Sequence, residues 1–95
     1  MADIYCKYKD KYNIFSTITD SFIFEKGMTL DELGEYTKKW YGLCGLQNLQ
    51  NNILARLQEH ETTSIFYPTL KELYEVSTEA EELVFNDVLY LYFEE

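Results

Sequence analysis

Proline occurs once, at Pro68, and glycine only four times. That leaves no Gly- or Pro-rich linker, so residues 1–95 are expected to form a single domain. Histidine and cysteine are as scarce: His60, Cys6 and Cys44 are the whole supply. A disulfide framework or a zinc site needs paired ligands at short spacing, so two reduced thiols are expected, with no metal and no cofactor. A nucleophile built from Cys6 or Cys44 with His60 has no supporting motif. The glycine-rich phosphate loop, Gly-x-Ser-x-Gly, His-Glu-x-x-His and Cys-x-x-Cys are all missing, and an enzyme is not expected. No apolar run approaches the ~20 residues of a membrane span. The N-terminal Met-Ala-Asp-Ile-Tyr-Cys-Lys has neither the basic start nor the apolar stretch of a secretory signal. A cytoplasmic protein without membrane contact is the expectation.

The most informative absence is of positive charge in the second half. The chain carries a net charge of −9. Residues 1–48 hold six lysines against seven acids, whereas residues 49–95 hold Arg56 and Lys71 against ten. After Lys71 there is no further Lys or Arg, while Glu72, Glu75, Glu79, Glu81, Glu82, Asp87, Glu94 and Glu95 follow. Phosphate contacts need Lys and Arg, so direct binding of nucleic acid is not expected. The natural complement is a basic protein surface.

The elements that are present are well signalled. Thr29 and Glu32 make a capping box, Met28 and Leu33 a hydrophobic staple, and Gly42 a left-handed terminator, which predicts a helix over residues 30–41. Leu33, Thr37, Trp40 and Tyr41 share its stripe with Leu30, and Trp40 is expected to anchor the core. A second helix is predicted from about Leu46 to Glu59, antiparallel to the first. Its outer face, Gln47, Asn48, Gln50, Asn51 and Asn52, is polar but uncharged. Before these helices, residues 3–25 read as a hairpin or three-stranded meander rich in β-branched and aromatic residues. After them, Thr69-x-x-Glu72 and Thr78-x-x-Glu81 are two more capping boxes, and a break at Ser77 is preferred over one helix through residues 70–85. Val88 to Phe93 alternates, which predicts a C-terminal strand, with Leu83–Phe85 as a hairpin partner across Asn86-Asp87. The expected fold is α+β. A small antiparallel sheet (N-terminal hairpin plus C-terminal strand) carries a helical hairpin and one or two short helices on one face.

Carboxylates on one helix face lie ~5–6 Å apart, and a DNA strand places a phosphate every ~3.4 Å along its axis. An acidic helix can therefore stand in for a nucleic-acid backbone in a basic groove. Nine tyrosines add contact area at low entropy cost. The candidate partner-binding residues are Glu72, Glu75, Glu79, Glu81, Glu82, Asp87, Glu94 and Glu95, with Tyr90 and Tyr92 on the outer face of the sheet beside Tyr5 and Tyr8. In size, charge and lack of catalytic motifs the chain resembles small inhibitors made by bacteriophages and mobile elements, including anti-CRISPR and anti-restriction proteins. The resemblance is one of type, carried by no motif. It implies an inhibitor that occludes a basic nucleic-acid-binding surface of a host enzyme. An immunity or antitoxin-type partner of a toxic nuclease follows the same charge logic. A self-associating regulatory module, a homodimer through the Gln/Asn face and exposed aromatics, is the third class.

Overall fold

The computed structural model describes residues 3–94, so Glu95 lies outside the described residues. The fold is α+β. Strands β1 (Asp3–Tyr8), β2 (Lys11–Ser16) and β3 (Ser21–Phe22) form an antiparallel meander in that order, with Asp3 opposite Ser16 and Phe15 opposite Phe22. The free edge of β1 is sealed by Glu61–Thr63: the Lys7 amide donates to the Glu61 carbonyl at 2.8 Å, and the Thr63 amide to that of Tyr5 at 3.0 Å.

Helix α1 (Leu30–Asn48) starts with the capping box as expected. The Thr29 amide donates to Glu32 Oε1 at 2.9 Å and the Glu32 amide to Thr29 Oγ1 at 3.3 Å. At Gly42 the backbone turns left-handed (φ 71°) and the chain folds back. Leu30, Gly34 and Lys38 then line a groove opposite Leu46, Gln50 and Leu54. A Cβ on Gly34 would sit 3.8 Å from Leu46. The helical hairpin is thus pivoted on Gly42, and a π-helical stretch (Leu49–Ile53) leads into α2 (Leu54–Glu59). Trp40 corrects the sequence expectation: it is 63% exposed. Leu33 and Thr37 are the buried positions of this stripe, and beyond them the helix runs out toward its turn, where Tyr36 packs against the indole and the Lys39 ammonium lies over it.

Helix α3 (Leu70–Leu73) and helix α4 (Glu79–Leu89) are separated, as the Ser77-Thr78 signal predicted. The expected C-terminal strand is absent. Val88 belongs to α4, Leu83–Phe85 is helical too, and Tyr90–Glu94 continues as a π-helical turn. Alternation misled here because a spacing of four is also even. Phe85, Leu89 and Phe93 satisfy both periods, and the capped helix behind them extends at the cost of one residue at a time. Tyr90 and Tyr92 therefore lie on a helical end and not on the sheet.

The helices also divide between two faces instead of sharing one. Ile4, Cys6, Tyr8 and Phe15 pack with Leu70, Phe85, Leu89 and Phe93, whereas Tyr5, Tyr12 and Ile14 pack with Leu33, Leu49 and Leu57. Both faces of β1–β2 carry apolar side chains, so both demand cover.

The C-terminal turn is held against β2 from within. Asn13 is fully buried, and its Nδ2 donates to the carbonyls of Phe24 and Tyr92, each at 3.0 Å, while its Oδ1 accepts from the Ile14 amide at 2.8 Å. Beside it, a Cβ on Gly27 would strike the Phe93 carbonyl oxygen and approach its Cα to 2.7 Å. Asn13→Ala leaves two partly buried carbonyls without this donor and is expected to cost about 1–3 kcal/mol in chemical denaturation. Gly27→Ala is expected to cost about 1–3 kcal/mol by overpacking. A loss below about 0.5 kcal/mol for both would refute this attachment.

Candidate protein-binding surface

Local chemistry sets where each acidic side chain goes. Glu72 is the third residue of α3, where its amide donates to Thr69 Oγ1 at 3.1 Å and its carboxylate accepts from that hydroxyl at 3.0 Å. Helix α3 ends in a Schellman arrangement: the Val76 amide donates to the Lys71 carbonyl at 2.9 Å and the Glu75 amide to that of Glu72 at 3.1 Å. Its left-handed residue is Glu75 (φ 55°), where glycine carries no Cβ penalty.

Glu79 opens α4 and is exposed. Glu81 is committed to the cap, where Oε1 accepts from the Ser77 hydroxyl and amide at 3.0 and 3.3 Å and from the Thr78 amide and hydroxyl at 3.1 Å each. The Ser77 hydroxyl, followed by that of Thr78, holds this carboxyl below its usual pKa. Glu82 pairs with Lys71 at 3.0 Å and Glu94 with Lys9 at 2.6 Å. Asp87 is exposed and Tyr90 more than half exposed. Tyr92 is half-buried, its ring 5.1 Å from that of Phe22, and so forms part of the sheet packing.

The structure therefore gathers Glu72, Glu75, Glu79, Glu81 and Glu82 around the α3–α4 junction. Asp87 lies further along α4, and Tyr90 opens the π-helical turn after it. Glu94 sits fifteen residues beyond Glu79, about 22 Å away at the rise of an α-helix. Sequence reasoning missed the apolar half of this surface. Leu83, Val84, Tyr90 and Leu91 are all half-exposed or more. A groove of about 360 Å³ runs between α4 and the segment after α3, lined by Tyr74, Val76, Ala80, Glu81, Val84, Phe85 and Val88. The signal was present: with residues 79–94 read as a helix, the apolar positions outnumber one buried stripe.

A second apolar feature is the loop through Ile65, Phe66 and Tyr67, all exposed. Ser64 Oγ accepts from the Phe66 and Tyr67 amides at 3.1 Å each, and the Thr62 hydroxyl donates to the Tyr67 carbonyl. Arg56 Nη2 donates to the Ser64 carbonyl at 3.1 Å, so the loop is laced into one conformation.

The thiols and the imidazole are not assembled. Cys6 is fully buried, and burial pushes its thiol well above the usual range, which keeps it protonated. His60 lines an open depression with Lys7, Lys9, Glu59 and Glu61, whereas Cys44 lines another with Asp3, Tyr5 and Tyr41. Among the described residues, no three His, Cys, Asp or Glu side chains group so as to hold a metal ion.

Two outcomes follow from these placements. A thiol reagent applied to the native protein should label Cys44 alone, with Cys6 reacting only after unfolding; fast native labelling at both would contradict the packing around Cys6. Glu75→Gly should stabilise the fold by about 0.5–1 kcal/mol by relieving the left-handed backbone, and a loss of stability would show that the carboxylate contributes more than its conformation costs. Comparison with known proteins returned no matching family model, no similar curated protein and no similar solved structure.

Proposed function

We propose that this chain is a small binding protein that occludes a basic, nucleic-acid-binding surface of a larger host protein, in the manner of phage and mobile-element inhibitors. The observation that carries the reading is the outer side of α3 and α4. From Glu72 to Glu94 it presents seven carboxylates against two neighbouring cations, Lys71 paired with Glu82 and Lys9 with Glu94, interleaved with exposed apolar side chains. A surface evolved only for solubility mixes signs and hides its leucines. Here the carboxylates supply attraction to a cationic groove, and the apolar residues supply area that salt does not screen. Such a partner places the protein in the cytoplasm.

Glu75 and Glu79 make no hydrogen bond or ion pair to a described residue through their carboxylates, so reversing them leaves the internal caps in place. Affinity capture from a bacterial lysate at low and high salt identifies the partner. The double variant Glu75→Lys/Glu79→Lys is then expected to bind it about tenfold or more weakly at physiological ionic strength, and to release its nucleic-acid binding. Unchanged affinity and unchanged inhibition would defeat the proposal. The identity of the captured protein separates a genome-defence enzyme from a small toxic nuclease. A self-associating module is the second reading, favoured by exposed Trp40, Tyr41 and Leu43 at the hairpin turn, and light scattering at low and high salt decides it.

A further inference from the structure

Asp87 occupies a singular position on α4. In a helix the neighbours of a residue are those three and four positions away on either side. For Asp87 these are Leu83, Val84, Tyr90 and Leu91, which are 69%, 65%, 56% and 50% exposed. At helical spacing this single carboxylate is flanked by four exposed apolar residues, two on α4 and two on the turn that continues it. Its own oxygens make no hydrogen bond or ion pair to any described residue. No Lys or Arg follows Lys71 in the sequence, and Lys71 is taken by Glu82.

We propose that this cluster is the anchor of the contact and that it receives one arginine side chain of the partner. The inference rests on the reading of α3–α4 as the binding surface and names the group recognised there. A guanidinium presents a planar fork that meets a carboxylate through two parallel hydrogen bonds. Its face stacks on an aromatic ring such as Tyr90, and its methylene stem covers aliphatic neighbours such as Leu83 and Val84. A lysine offers a compact, strongly hydrated point charge that does neither as well. A charged centre enclosed by apolar groups that exclude water is also the arrangement in which a polar contact gains most on binding. The occupant is foreign to this chain. Its one arginine, Arg56, is half-buried, with Nε enclosed and Nη2 bonded to the Ser64 carbonyl, so a second copy does not extend its guanidinium into solvent for this contact.

The test uses the full chain and two synthetic amphipathic helical peptides, identical except that one carries arginine and the other lysine at every basic position. Binding is read by fluorescence anisotropy at low and high salt. The arginine peptide is expected to bind about tenfold more tightly. Asp87→Asn is expected to erase that preference, and Leu91→Ser to weaken the arginine peptide at high salt. All altered residues are exposed, and circular dichroism with thermal unfolding verifies that the fold is retained. Equal binding of both peptides, lost on Glu75→Lys/Glu79→Lys but unmoved by Asp87→Asn, would overturn the anchor and leave the acidic surface standing. Binding indifferent to all of these variants would overturn both. A chain that dimerises through this face, with the dimer lost in Leu91→Ser, would make the occupant a second copy and refute the assignment.

Discussion

The architecture depends on one buried amide. Asn13 stands in the middle of β2, fully enclosed, and its Nδ2 reaches the carbonyl of Tyr92 across 79 residues of sequence. The terminal turn of a helix leaves carbonyls without intrahelical partners, and one shielded from solvent even in part gains from a donor elsewhere. Asn13 supplies it and at the same time bonds the Phe24 carbonyl, so it fastens the end of the C-terminal helix to the strand and to the segment leading into α1. Gly27 permits the approach by having no side chain where Phe93 passes. Phe93 then enters the aromatic group of Tyr8 and Phe22, with ring centroids at 5.9 and 5.1 Å. Lys9 and Glu94 add an exposed pair whose contribution is small.

This attachment explains the layering. With α4 laid across the face of Ile4, Cys6 and Phe15, the helical hairpin takes the opposite face, and the sheet becomes the common wall of two cores. Helix α4 offers one side to its core through Phe85, Leu89 and Phe93. Its capping box and the Schellman turn of α3 fix where it begins. The outward side of α4 is therefore presented by a rigid element, and its carboxylates and apolar groups keep a fixed spacing that lowers the entropy lost on association.

The parts of this arrangement legible in the sequence are those encoded within a few residues. Thr29 with Glu32, and Thr78 with Glu81, announced two helix starts that the structure keeps, and Gly42 announced the reversal that makes the helical hairpin after the first. The parts that were not legible depend on which distant surface a residue meets. Residues 88–93 carry a pattern that fits both a strand and a helix, and only the docking of Phe93 beneath Asn13 and Gly27 selects the helix. Trp40 looked like a core residue because it continues a buried stripe, but it stays 63% exposed while Tyr41 beside it reaches Asp3 of β1. At the candidate surface the carboxylates could be named from composition alone. The exposed leucines and valine could not, because assigning residues 88–93 to a strand hid how many apolar side chains the helix has to spare.

The segment Glu61–Thr63 that runs beside β1 has a consequence for how such a surface changes over generations. It takes the Tyr5 carbonyl and the Lys7 amide of that edge, and on the far side of β2 the short β3 is followed by bonds from Ile23 to Ile14 and between Met28 and Tyr12. Little unpaired ladder remains on which a partner can add a strand. Recognition is thereby left to side chains on the outside of a helix, where substitutions usually shift stability by less than about 0.5 kcal/mol. A lineage carrying this fold can exchange those side chains one at a time to follow a changing target while the buried amide and the two cores stay as they are.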